Sequence, residues 1–259
     1  MLLSHELRRH QISPNLIDPW TISKDVHLVY QNALTAYANG VTPQRFSVAA
    51  SKHLGLIRQN HTAIDPRVIG FVSMQFHYCG QMLLAEVAES EQTPLQSYFK
   101  VVDDLLYMPL HRAYTAAAKY NYHDPRLETV RLALPATSRI AHSIVNQVIN
   151  LCPDYASHSG PLSNPIVRTS SVRDVEMFQI YLWTCMLENN ISAIAQELFP
   201  LCVMLYPTLK VNWSLVRLMV NLLDQELSAC VGSINVQYYE PSYSAMLKMF
   251  SPSLFPDPV

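Results

Sequence analysis

Apolar residues recur at helical spacing through most of the chain, and the pattern predicts one helix after another. The candidate segments are Ser4–His10, Lys24–Ala38, Pro43–Asn60, Pro66–Glu89, Pro94–Tyr120, Pro125–Leu134 and Thr137–Leu151, then Ser171–Leu187, Ile191–Leu205, Trp213–Leu227 and Ser242–Met249. Thr42-Pro43, Asp65-Pro66, Thr93-Pro94 and Asp124-Pro125 each set a capping side chain before a proline at the first helical position. Asn39-Gly40 and Asn189-Asn190 read as stops. Pro109 and Pro200 fall inside two segments and predict a kink or break in each. Val175, Phe178, Leu182 and Cys185 recur at spacings of three and four, which predicts one buried stripe. Pro66–Glu89 is apolar on more than one face: it is central to the monomer core, or it buries a face against another chain. Cys152–Ser170 breaks the pattern with three prolines, a glycine and four serines and reads as a long ordered loop of functional type.

Composition narrows this reading. Apolar residues make up 49% of the 259 and charged residues 15%, a core-rich balance opposite to that of a disordered chain. The net charge is −2 with no Lys/Arg block, which argues against a nucleic-acid surface. Six glycines are too few for a turn-dense β sandwich or a glycine-cradled phosphate site. The five cysteines, Cys79, Cys152, Cys185, Cys202 and Cys230, form no CxxC pair and read as reduced core thiols of a cytosolic protein. The N-terminus is charged where a signal peptide needs an apolar run, and the longest apolar stretches, such as Leu198–Tyr206, fall far short of the ~20 residues that span a bilayer. The expectation is a soluble all-α protein, with an N-terminal helical extension over residues 1–92 and a main domain over 93–259 that together make one compact unit.

Candidate chemistry is sparse. The ten histidines show no HxxxH, HExxH or Cys/His cluster, so structural or surface roles are expected; a single axial haem ligand at His77, His111 or His142 is not nominated by any motif. Asp103 and Asp104 are adjacent, point about 100° apart on a helix, and read as a solvated face. No GxSxG, Walker loop or GxGxxG occurs, and the chain reads as no enzyme. Tyr238-Tyr239-Glu240-Pro241-Ser242-Tyr243 reads either as a protein-docking patch in the tail or as a tail folded back on its own domain.

From Leu127 onward the order of features resembles a phycobiliprotein. LETVRLALPATSRIAHSIVNQVINLCPDY (127–155) is similar to that family's paired helices ending in a Phe-Pro-Tyr-like corner, and Ser159-Gly160-Pro161 stands where the family has Gln-Gly-Pro. SVRDVEMFQIYLWTCMLENN (171–190) resembles its Cys-x-Arg-Asp helix, with Cys185 at a core-cysteine position, and AIAQELFPLCVMLYPTLKVNW (193–213) resembles the helix and turn that follow. The likeness covers roughly 127–226, with a looser extension back to Thr93. It implies a globin-like helical core with an N-terminal helical region for pairing, in a family that carries a linear tetrapyrrole on a cysteine thioether. The attachment position here is Ser171, which offers no thiolate, so the resemblance implies no covalent bilin.

Arg173 and Asp174 keep the family's Arg-Asp pair. By the resemblance they would hold a propionate and the pyrrole N–H groups of a residual bilin pocket; the plainer alternative makes them first-turn caps of a helix. The function implied is a non-catalytic structural or assembly component of the cyanobacterial light-harvesting antenna or a photosynthetic complex. Its partners would be phycobilisome or photosystem proteins, in a homo- or hetero-oligomer, without membrane insertion. Its place would be the cytoplasm or the periphery of the thylakoid membrane. The alternative is a non-covalent tetrapyrrole carrier or sensor, bilin or haem. An open cleft beside Arg173 and Asp174 would favour the carrier, and a site filled by Phe178, Tyr181 or loop side chains the scaffold.

Overall fold

The computed structural model describes residues 11–256, and the expected helix Ser4–His10 lies outside them. The regular elements of the described residues are helices apart from one pair of two-residue strands, so the all-α expectation holds. The chain forms two compact units, Met1–Arg112 and Ala113–Val259.

In the first unit, α1 (Pro19–Ala38) starts where the Asp18 carboxylate accepts the Trp20 and Thr21 amides, and α2 (Pro43–Thr62) where Thr42 accepts the Arg45 amide. Asp65 caps a short 3₁₀ turn, Pro66–Val68, that leads into α3 (Ile69–Ala85). α4 (Glu89–Tyr107) begins before the expected Thr93-Pro94 signal. Glu89 and Glu91 complement the positive end of its dipole, and Pro94 sits in its second turn at the loss of one backbone bond. α4 packs against α1, α2 and α3, so the division expected between residues 92 and 93 falls inside a helix that belongs with its N-terminal neighbours. Met108, forced extended by Pro109, ends α4, and α5 (Leu110–Ala117) follows. In the core the Tyr30 hydroxyl donates to the Phe76 carbonyl at 2.7 Å, and its ring meets Phe99 edge-on at 4.7 Å.

The second unit is built around α8 (Pro165–Glu188), which packs on α6 (Pro125–Ala133), α7 (Thr137–Leu151) and α11 (Ser233–Met249). α10 (Trp213–Val231) packs on α6, α7 and α11 in turn. The expected stripe Val175, Phe178, Leu182 and Cys185 is buried, but so is every other side chain from Val175 to Leu187. A helix enclosed on all sides shows no polar face, and its polar members must find partners. Gln179 donates to the Thr137 carbonyl at 3.0 Å, and Glu176 accepts from the Ser138 hydroxyl. α8 starts six residues earlier than expected, because Asn164 accepts the Ile166 amide and Pro165 takes the first helical position.

The irregular stretch therefore ends at Asn164. It holds the strand pair β1 (Ala156–Ser157) and β2 (Gly160–Pro161), in register Ala156 with Pro161, and Gly160 takes a φ of 119°. Pro200 does not break its segment. A π-helical turn, Ile194–Leu198, widens the backbone ahead of it, and α9 (Phe199–Thr208) carries the proline in its first turn. The tyrosine stretch 238–243 lies within α11, with Tyr239 and Tyr243 buried, which settles it as folded back rather than as an exposed tail.

Candidate functional site

The early start of α8 puts Arg173 and Asp174 in its third turn, where neither is a first-turn cap. Ser171 lies one turn earlier and is half-buried. The neighbouring hydroxyls fold back on the helix: Thr169 donates to the Pro165 carbonyl and Ser170 to that of Val167.

Asp174 faces α9. Its Oδ2 accepts from the Tyr206 hydroxyl at 3.3 Å. Burial pushes its carboxyl up to about 6, with the Arg173 charge and the Tyr206 hydrogen bond opposing the rise. One turn before Tyr206, burial drives the Cys202 thiol far above its usual range despite a hydrogen bond with the same hydroxyl. Such a thiol stays protonated and is a poor nucleophile. Cys185 is likewise buried, whereas Cys79, Cys152 and Cys230 are half-buried, so only two of the five are core thiols.

Side chains named as possible fillers of this corner are buried. Phe178 packs against the Phe250 ring at 5.6 Å, and Tyr181, fully enclosed, donates to Glu197 at 3.4 Å. The 152–164 loop is tied to the turn after α9: the His158 amide donates to the Leu209 carbonyl at 2.8 Å, and the Tyr155 hydroxyl receives the Asn212 amide at 3.1 Å.

Elsewhere in the second unit, a cleft of about 480 Å³ lies between the start of α6, the middle of α11 and the end of α8. Met186 and Pro241 line it together with Tyr238, Asn189 and Arg126. The Arg126 guanidinium is forked onto Asp124 and lies 4.3 Å from the Tyr120 ring. Read as a sequence, Asp124-Pro125-Arg126 signals only a helix start; the cleft needs three elements distant along the chain.

In the first unit, His61 pairs with Asp25 at 2.9 Å and His77 with Asp103 at 2.8 Å. Asp104 turns instead to Lys100, as the 100° separation requires, but Asp103 is a partnered and mostly buried carboxylate rather than part of a solvated face. Among the described residues no group of three or more His, Cys, Asp or Glu side chains could hold a metal ion. On α3, Phe71, Val72 and Phe76 are buried, while Met74, Tyr78 and Met82 are 40%, 57% and 63% exposed. Their spacing of four aligns them as one apolar stripe. The helix that reads as apolar on more than one face thus serves the core with one face and offers another to solvent.

No family model matches the chain, and no curated protein or solved structure matches it either. No helix among the described residues is long and apolar enough to cross a membrane.

Proposed function

We propose that the protein is a non-catalytic interaction component of a phycobilisome-like antenna or an associated photosynthetic complex of cyanobacteria, on a globin-like core that carries no covalent bilin. The observation that carries the reading is the exposed Met74–Tyr78–Met82 stripe of α3, three apolar side chains aligned at a spacing of four. The Arg173–Asp174 corner supports it. Asp174 is engaged by Tyr206, and the aromatic side chains beside the pair are spent on the unit's own packing. Ser171 supplies no thiolate for attachment. Partial exposure of Arg173 and Asp174 favours a second reading, a non-covalent tetrapyrrole carrier.

The test is purification of the full chain from a cyanobacterial host, with its visible spectrum recorded, followed by sedimentation with isolated phycobilisomes and photosystems. A colourless protein that co-sediments, and a Tyr78→Glu/Met82→Glu variant that does not, is the expected result. Colour released on denaturation with no co-sedimentation would replace this reading with the carrier.

A further inference from the structure

Asp124 caps α6 by accepting the Arg126 amide, and the same carboxylate takes the Arg126 guanidinium side-on, from Nε and from Nη2, each at 3.0 Å. A guanidinium carries five N–H donors and presents more than one forked edge. With the Nε–Nη2 edge spent on Asp124, the end-on edge keeps one N–H on Nη2 and both on Nη1, and Nη1 has no acceptor among the described residues. The cation is held from a second side as well. Its central carbon lies 4.3 Å over the Tyr120 ring, and the Tyr120 hydroxyl donates to the Leu187 carbonyl of α8 at 2.5 Å. Arg126 is thus fixed to α6 through Asp124 and to α8 through Tyr120, while 35% of its side chain stays exposed, so the unspent edge is reachable.

The cleft that Arg126 lines, about 480 Å³ in volume, is the size of a small-molecule site. Met186, Ile191, Pro241 and Ala245 give it apolar walls, and Tyr238 and Ser242 add hydroxyls. Arg126 is the one base and Asp124 the one acid among its lining residues. The hydrogen bond from Arg126 holds the Asp124 carboxyl below its usual range, so both are charged at neutral pH and offset each other. A single further carboxylate on the end-on edge gains two charge-assisted hydrogen bonds. A phosphate dianion would bring a second negative charge close to Asp124 with nothing in the lining to match it. We propose that this cleft binds a small monocarboxylate with a compact apolar body, its carboxylate on the end-on edge of Arg126 and its body against Met186 and Pro241.

The test titrates the full chain at neutral pH with phenylacetate, followed by NMR at the Arg126 Nε–H and at the backbone amides. Saturable shifts are expected at Arg126, Ile191 and Ala245, with a Kd on the order of 1 mM for a ligand of this size. Phenylacetamide keeps the ring and loses the charge, and it should bind about ten-fold or more weakly. Arg126→Gln should weaken phenylacetate by about as much. Ala245→Phe, which fills the apolar end and leaves the fork intact, should abolish the shifts at Arg126. N-acetylphenylalanine distinguishes the source of the carboxylate: binding tighter than phenylacetate marks the end of a peptide chain, and weaker binding a free acid. The absence of saturable shifts, equal affinity for acid and amide, or an affinity unchanged in both variants overturns the proposal. The comparison of acid with amide is made on the native chain, so it decides even where a variant fails to fold.

Discussion

Asp174 shows how one carboxyl is tuned by a helix it does not belong to. Its folded-state value is raised to about 6 by burial, above the ordinary carboxylate value. The folded chain therefore binds more protons than the unfolded chain between about pH 4 and 6. Stability falls as pH rises through that window and levels above it. Asp174→Asn keeps an acceptor for Tyr206 and removes the titration. Urea denaturation should show it gaining on the native chain by about 1–2 kcal/mol from pH 4 to pH 7, after discounting for the part of the group that meets solvent. A constant difference across that range would remove Asp174 as the source. At Ser171 the outcome concerns chemistry rather than stability. With a bilin supply and a lyase, zinc-enhanced fluorescence of the denatured protein should be absent from the native chain. It should be absent from Ser171→Cys as well, where the added thiol sits on a half-buried helix beside aromatic side chains already packed within the unit. A covalent signal in the variant alone would restore the carrier reading.

Elements follow their caps more closely than their apolar period. Asp18, Thr42 and Asp124 each accept a first-turn amide, and each stands before a proline. Asn164-Pro165 carries the same signal and opens α8, but the polar run of serines that follows it disguises the start. α3 illustrates the other side of element-level control. A Cβ added at Gly80 would sit 2.5 Å from the Tyr30 hydroxyl, so α1 and α3 approach as closely as they do only because Gly80 has no side chain. Gly80→Ala should cost about 1–3 kcal/mol in thermal or urea unfolding. In a double-mutant cycle Tyr30→Phe should return part of that loss, since it removes the atom that clashes. Additive effects of the two substitutions would place the strain elsewhere.

At the scale of the whole molecule the prediction concerns association. Tyr78 and Met82 are solvent-exposed, so Tyr78→Glu/Met82→Glu should change stability by no more than about 0.5 kcal/mol. The native chain should gain light-scattering mass when mixed with isolated phycobilisomes or photosystems, and the same variant should not, because two carboxylates desolvated at an apolar contact oppose docking. A destabilised variant would mean that the stripe serves the first unit's own packing. An unchanged mass increase would move the docking face elsewhere.

The sequence by itself determined that this chain is helical, that helices open at Pro43, Pro125, Thr137 and Trp213, that Pro109 divides one segment, and that Val175, Phe178, Leu182 and Cys185 are inside. These properties are local: a cap bonds within three residues of itself, and a proline acts on its own turn. Only the tertiary structure decided that α8 is enclosed on every face, that the 238–243 tyrosines lie in a packed helix, and that Asp174 meets Tyr206, 32 residues away. It alone decided that Arg126 lines a cleft with residues of α8 and α11. Desolvation and side-chain partnership depend on which distant residues arrive at a position, and no period or spacing along the chain encodes that arrival.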